Sequence, residues 1–266
     1  MFKTIILIFI IFIILIISIT IFLYFKYKHC PGMNKELYIN NSIKENYDTL
    51  GFVIIPKVFT KEEIDECRKE IQDYSNQNYT SIVNFIGRNI LPKTSKLKDS
   101  NKLHSVLREI FNGDNYRFCG HNDIGFNRFV DWHKDKLNTP YNKYEKLDVF
   151  NKNQNICKVA IYLQEHSNNN DALHIIPGSQ YTREIKTNNC RTLQPSVGDV
   201  VVFDQRLTHR GRSIFDIFKF GNSIPRILVS FGFGLNNEYT DQFELGTKMR
   251  QQNQLNSGNF LGTKIK

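Results

Sequence analysis

The sequence predicts a mostly β domain, a jelly roll or β-sandwich buttressed by helices, carried behind one apolar N-terminal helix long enough to cross a membrane. Three observations lead there. Residues 5–25 are an almost unbroken run of Ile, Leu and Phe. Two amphipathic helical patterns follow between about 60 and 111. From about residue 156, short runs rich in β-branched and aromatic residues alternate with turn signals. Helices first and antiparallel-style strands afterwards, in 266 residues with 41% hydrophobic content, give enough chain for one large packed domain.

The first element is the apolar run Ile5 to Phe25, broken only by Ser18, Thr20 and Tyr24. At about 1.5 Å per residue a helix of this length spans about 30 Å, the hydrocarbon thickness of a bilayer. The run is longer than the apolar core of a cleaved signal peptide and lacks a small-residue cleavage site, so residues 1–28 read as an uncleaved transmembrane anchor. Lys26, Lys28 and Lys35 follow it while only Lys3 precedes it, and this bias places the bulk of the chain in the cytoplasm as a single-pass membrane protein. The five cysteines, Cys30, Cys67, Cys119, Cys157 and Cys190, are odd in number and follow no regular spacing, which fits free thiols in a reducing compartment. The triplets Asn40-Asn41-Ser42 and Asn78-Tyr79-Thr80 are chance glycosylation signals of an Asn-rich chain on this reading.

Residues 29–46 read as a polar juxtamembrane linker, 47–235 as the domain, and 236–266 as a polar, Asn/Gln-rich, loosely packed C-terminal tail. Within the domain, Gly51 to Pro56 is a short strand ended by proline. Thr60-x-x-Glu63 is a capping box, and Ile64, Cys67, Ile71 and Tyr74 recur at helical spacing over about 61–74. Leu103, Val106, Leu107, Ile110 and Phe111 mark a second helix stopped at Asn112-Gly113. Residues 156–163, 172–176, 200–203 and 227–231 are strands, parted by turns such as Pro177-Gly178-Ser179 and Gly198-Asp199. Of the chain's 35 Lys+Arg, three lie in the first 28 residues, leaving 32 bases against 26 acids; with no basic cluster interleaved with aromatics, nucleic acid is not an expected partner.

The chemistry-bearing stretch is Trp132-His133-Lys134-Asp135. On an extended chain positions i and i+2 share a face, so His133 and Asp135 can reach one ion, and imidazole plus carboxylate is part of the facial triad that holds non-haem Fe(II). His209 stands just after the apolar strand 200–203, where a third ligand can meet the pair across a jelly roll. Seventeen residues on, Arg226 opens another apolar strand; a guanidinium there needs a carboxylate, either a bound dicarboxylate or an Asp or Glu elsewhere in the chain.

Taken together these stretches resemble the phytanoyl-CoA dioxygenase-like family of Fe(II)- and 2-oxoglutarate-dependent oxygenases. The likeness is carried by Leu50 to Pro56 with Phe59 to Ile64, by Trp132 to Asp135, by Lys158 to Leu163 with Ala172 to Gln180, and by Gly198 to His209 with Arg226 beyond, covering about residues 48–234. It implies a double-stranded β-helix of cupin-like form, Fe(II) held by His133, Asp135 and His209, Arg226 on the distal carboxylate of 2-oxoglutarate, Asn127 as a second cosubstrate contact, and O2 as oxidant. His121 and Asp123 repeat the His-x-Asp spacing without the Trp-His-x-Asp context and read as a decoy; His166 and His174 read as structural or substrate-facing. Chlorinating relatives replace the metal Asp with a small residue, so Asp135 favours hydroxylation. The chain departs from the family in its long stretch from His209 to Arg226, where residues 210–216 look inserted, and in Gly211, which has no hydroxyl to offer. The expected protein is thus a membrane-anchored dioxygenase acting on a small-molecule or lipid-like substrate. The rivals are a non-catalytic binding or scaffold module of the same fold and a cupin-type metal hydrolase.

Overall fold

A computed structural model describes residues 2–26, 30–33, 42–78, 82–83, 91–126, 130–135, 147–166, 173–211, 226–257, 259–260 and 263–264. Helix α1 (Phe2–Lys26) exposes every side chain from 4 to 22 and is long and apolar enough to cross a membrane. Helix α2 (Ile43–Leu50) is capped by Ser42, whose Oγ accepts from Glu45 N at 3.1 Å, and ends on Gly51 at φ +83°. A Cβ at Gly51 would lie 2.5 Å from Gln180 Oε1, so both the left-handed backbone and the close approach demand glycine. Strand β1 (Phe52–Ile55) follows, then helix α3 (Lys61–Asn78). Its capping box is present: Glu63 N donates to Thr60 Oγ1 at 3.2 Å and Thr60 N to Glu63 Oε2 at 2.8 Å. Strand β2 (Ile82–Val83), the short helix α4 (Pro92–Lys96) and helix α5 (Asn101–Phe111) come next; α5 stops at Asn112 in the left-handed conformation.

The remaining strands are β3 (Tyr116–Phe126), β4 (Ile156–Tyr162), β5 (Leu173–Ile175), β6 (Arg191–Leu193), β7 (Val200–Asp204), β8 (His209–Arg210) and β9 (Ile227–Leu235), followed by helix α6 (Glu238–Ser257) and the short pair β10 (Asn259–Phe260) and β11 (Thr263–Lys264). A six-stranded sheet runs β1-β7-β4-β9-β3-β2 and a three-stranded sheet runs β6-β5-β8; the pairs in both are antiparallel.

The period of two along each strand sorts the large sheet's side chains into two cores. Val159 and Ile161 of β4, Val200 and Val202 of β7, and Val229 and Phe231 of β9 join Ile64, Leu107 and Ile110 of the helices in the larger one. The alternate residues, Ala160, Tyr162, Val201 and Phe203, pack toward Leu173 and Ile175 of the small sheet. Both faces are buried, which is why these strands read as continuous apolar runs. Gly198, at φ +88°, turns the chain into β7; a Cβ there would lie 2.3 Å from Phe59 O.

Two sequence expectations are corrected. The polar stretch 236–266 is not loosely packed throughout: α6 lies on β3, with Tyr239 and Phe243 in an apolar cluster with Cys119 and Ile156, and Arg117 ion-paired with Asp241 and Glu244. Its buried face is largely Thr240, Thr247, Arg250 and Gln251, so no hydrophobic period announces it. Nor are all five cysteines free thiols. Cys30 and Cys190 form a disulfide, while Cys67, Cys119 and Cys157 are buried thiols. The bond joins the segment just after α1 to the edge of the small sheet, where Thr192 N donates to Pro31 O at 2.9 Å and Thr192 Oγ1 to Cys30 O at 2.9 Å. Residues 30–33 are therefore docked on the domain, at the start of what reads in the sequence as a linker.

Candidate metal centre and its cavity

The centre is built by two short segments that pair at the edge of the small sheet. Strand β7 ends at Asp204, whose buried carboxylate accepts from the backbone N of Arg206 at 2.7 Å and from its guanidinium through Nε at 2.9 Å and Nη2 at 2.6 Å, closing a tight turn. Ser179 Oγ, from the Pro-Gly-Ser turn, accepts from Thr208 N at 2.8 Å. The chain then enters β8, and His209 and His133 exchange both backbone hydrogen bonds at 2.9 Å. Lys134 points away from its two neighbours. It is buried and donates to Ser179 O at 2.6 Å and Arg206 O at 2.8 Å, clamping the Trp-His-Lys-Asp segment to both turns that support His209. Burial pushes its ammonium down to about 8.

His133, Asp135 and His209 converge: one potential ligand atom from each lies within 4.8 Å of the others. His133 Nδ1 is 2.7 Å from Asp131 O and His209 Nδ1 is 2.9 Å from Leu207 O. A carbonyl only accepts, so each Nδ1 donates its proton there and Nε2 is the ring nitrogen left to meet a metal, the usual outer-shell arrangement of metal-binding histidines. Those Nε2 atoms are 3.8 and 3.6 Å from the Asp135 oxygens. Burial, with nearby His133 adding to it, pushes His209 down to about 3, so it is neutral as a ligand must be. Burial alone would raise Asp135; the Lys158 ammonium, whose Nζ is 2.6 Å from Oδ2, outweighs it and holds the carboxyl well below the usual range. Two imidazoles, each with its Nδ1 engaged, and one carboxylate, with their potential ligand atoms gathered within 4.8 Å of one another, fit a divalent first-row metal.

The triad opens on a cavity of about 250 Å3 between the two sheets. Arg226 lines it from the foot of β9 and is 4% exposed; its Nη2 donates to Tyr162 OH at 3.3 Å and its guanidinium stands 5.0 Å from the Tyr162 ring centroid. Asn127 lies outside the described residues, as does most of the stretch that looks inserted after His209; Gly211 lines the cavity. His121 and Asp123 do not join the triad, but they line the same cavity. His174 is buried in the small sheet, its Nδ1 2.9 Å from Thr192 Oγ1, and His166 packs edge-on against Tyr162.

Sequence reasoning missed Lys134, Lys158, Tyr162 and Arg250. A lone charge inside the apolar run 156–163 is a readable signal for Lys158. Arg250 has none, because only the docking of α6 brings it to the cavity.

A family profile for phytanoyl-CoA dioxygenase (PhyH) matches residues 47–214, more than half of the chain. No curated protein sequence matches it. Among solved structures, AviO1 from Streptomyces viridochromogenes Tue57 superposes with a TM-score of 0.56 at 16% identity, over 73% of this chain and 94% of that one. HygX from Streptomyces hygroscopicus, solved with nickel and 2-oxoglutarate bound, gives 0.56 at 16% identity over 77% and 88%. The non-haem α-ketoglutarate-dependent epimerase SnoN from nogalamycin biosynthesis gives 0.55 at 13% identity over 75% and 85%. At these identities the likeness is one of fold. With the two-sheet barrel and the profile match in hand, the chain belongs to the phytanoyl-CoA dioxygenase (PhyH) family, whose cofactors are Fe(II) and 2-oxoglutarate with O2.

Proposed function

We propose that this chain is a membrane-anchored Fe(II)- and 2-oxoglutarate-dependent dioxygenase that hydroxylates a C–H bond of a small-molecule or lipid-like substrate. In that reaction a C–H bond, 2-oxoglutarate and O2 become C–OH, succinate and CO2. The observation that carries the reading is the convergence of His133 Nε2, His209 Nε2 and the Asp135 carboxylate on one point of a cavity that Arg226 also lines. His133, Asp135 and His209 would hold ferrous iron, which would supply the oxidising chemistry.

The chain's own residues do the rest. The Asp131 and Leu207 carbonyls fix the ring orientation of the two histidines. Arg226 grips the distal carboxylate of 2-oxoglutarate through its planar fork, and the Tyr162 hydroxyl holds the guanidinium in place. Arg250 is the poorer candidate for that role, because Asp123, 3.1 Å away, repels an arriving carboxylate. Phe203, Leu173, Leu228 and Ala160 line the cavity between these groups and exclude water from the reacting bond.

Helix α1 is read as the anchor. The Cys30–Cys190 disulfide supports an oxidising compartment for the domain. We therefore read the domain as facing an oxidising compartment, since a disulfide needs an oxidant to form, against the flanking lysines that favour the cytoplasm. The test is Fe(II)-dependent formation of succinate from 2-oxoglutarate by the detergent-solubilised full chain, beside a His133→Ala control. Metal-dependent succinate in the wild type alone supports the reading. Equal output from both proteins would return the chain to the non-catalytic binding module.

A further inference from the structure

We infer that the face formed by His121, Asp123, Ser230 and Arg250 is the substrate subsite, and that it takes a hydroxyl-bearing small molecule such as a sugar or cyclitol rather than an acyl chain; this rests on the dioxygenase reading above. These four side chains form one hydrogen-bonded wall of the cavity. Arg250 Nη2 donates to Asp123 Oδ1 at 3.1 Å and lies 3.5 Å from His121 Nδ1; His121 Nε2 is 3.2 Å from Ser230 Oγ. The wall is assembled from three elements, β3, β9 and α6, so it is a built surface and not a chance cluster on one strand.

Strand register sets its place. Arg226, immediately before β9, and Ser230 on it are four residues apart, about 13 Å along the extended chain. Asp123 pairs with Ser230 across the sheet, and Lys158, the partner of Asp135, pairs with Gly232. His121 stands beside the same glycine: a Cβ on Gly232 would lie 3.0 Å from His121 Cβ, so Lys158 and His121 flank one residue of β9 from either side. The polar wall therefore abuts the Asp135 side of the triad, whereas Arg226 stands at the other end. Cosubstrate and substrate occupy opposite ends and do not compete.

The chemistry of the wall selects the ligand. Covering a mostly buried Asp123–Arg250 pair with hydrocarbon strips water from two charges and returns nothing. A fatty chain is disfavoured for that reason. An anion is drawn to Arg250 but repelled by Asp123. Neighbouring hydroxyls suit both, one donating to the carboxylate and the next accepting from the guanidinium.

The experiment uses the full chain in detergent, loaded anaerobically with Fe(II) and 2-oxoglutarate and followed by the visible charge-transfer absorption of that complex. A panel of monosaccharides, cyclitols and nucleosides is compared with alkanoates and alkanoyl-CoA thioesters, reading the absorption shift and, after admitting air, stimulated succinate formation. We expect hydroxylated compounds to shift the band. Asp123→Asn and Ser230→Ala should each weaken that response by about tenfold or more while 2-oxoglutarate binding stays within about twofold. A response confined to the alkanoyl compounds, no response to the hydroxylated panel, or variants that respond like wild type would overturn the subsite. Failure of wild type to form the absorption band would instead remove the iron and oxoglutarate reading beneath it.

Discussion

Replacing Arg226 is the sharpest probe of the cosubstrate site, because the side chain is 4% exposed and contacts the Tyr162 hydroxyl at the end of the cavity away from the triad. A carboxylate gripped by its fork makes charge-assisted hydrogen bonds worth about 1.5–3 kcal/mol. At about 1.36 kcal/mol per decade, their loss in Arg226→Gln weakens 2-oxoglutarate binding about ten- to 150-fold. Glutamine keeps a neutral donor and much of the volume, so the lower half of that range is expected and the fold should survive. The assay is anaerobic calorimetric titration of 2-oxoglutarate into the Ni(II)-loaded full chain, with Ni(II) affinity measured separately and expected to stay within about twofold, since Arg226 is not a member of the triad. Arg250→Gln is the matched control, a second cavity arginine already paired with Asp123. Unchanged oxoglutarate affinity in Arg226→Gln, or a loss appearing in Arg250→Gln instead, would refute the assignment.

Three further outcomes follow from the geometry. Lys134→Met removes two charged hydrogen bonds to Ser179 O and Arg206 O and leaves both carbonyls exposed to an apolar side chain; a loss of about 1–3 kcal/mol in urea unfolding and weaker Ni(II) binding are expected, and a variant as stable as wild type would show that the clamp contributes nothing. His121 is held by burial at about 3 in the folded chain against 6.5 when exposed, so between those values the unfolded chain binds a proton that the folded chain refuses. That contribution to stability is intact above 6.5 and is lost as the pH falls toward 3; His121→Gln should flatten the decline in urea midpoint over that interval, and parallel curves would count against a buried neutral imidazole. Finally, the full chain should remain in membranes after alkaline carbonate washing, and its non-reducing digest should contain a Cys30–Cys190 cross-linked peptide; a soluble chain contradicts the anchor, and reduced thiols in protein alkylated at lysis restore the cytoplasmic orientation.

Most strands and both amphipathic helices of the domain were legible because burial on one or both faces writes a period into the sequence: the β4, β7 and β9 runs and the α3 and α5 stripes all appear within a few residues of their structural limits. Helix α6 was not, since its buried face mixes Tyr239 and Phe243 with Thr240, Thr247, Arg250 and Gln251, and much of its docking is carried by Arg117, Gln251 and Arg250 contacts that no local pattern encodes. The Cys30–Cys190 pair was hidden for a related reason. A disulfide needs proximity in space, and 160 residues of intervening chain say nothing about it.

The candidate centre divides in the same way. His133 and Asp135 share a face by the geometry of an extended chain alone, and His209 is placed by the strand and turn before it, so the identity of the three converging side chains is a property of the sequence. That they face one point with Nδ1 bound and Nε2 free, that Lys158 sits against Asp135, and that His121 and Asp123 stand in the same cavity instead of on a remote surface depend on two sheets closing over each other and on α6 sealing β3. Side-chain type and spacing are local, and a linear chain records them; the direction in which a lone pair points is fixed by hydrogen bonds between segments distant in sequence, and only the folded chain brings those segments together.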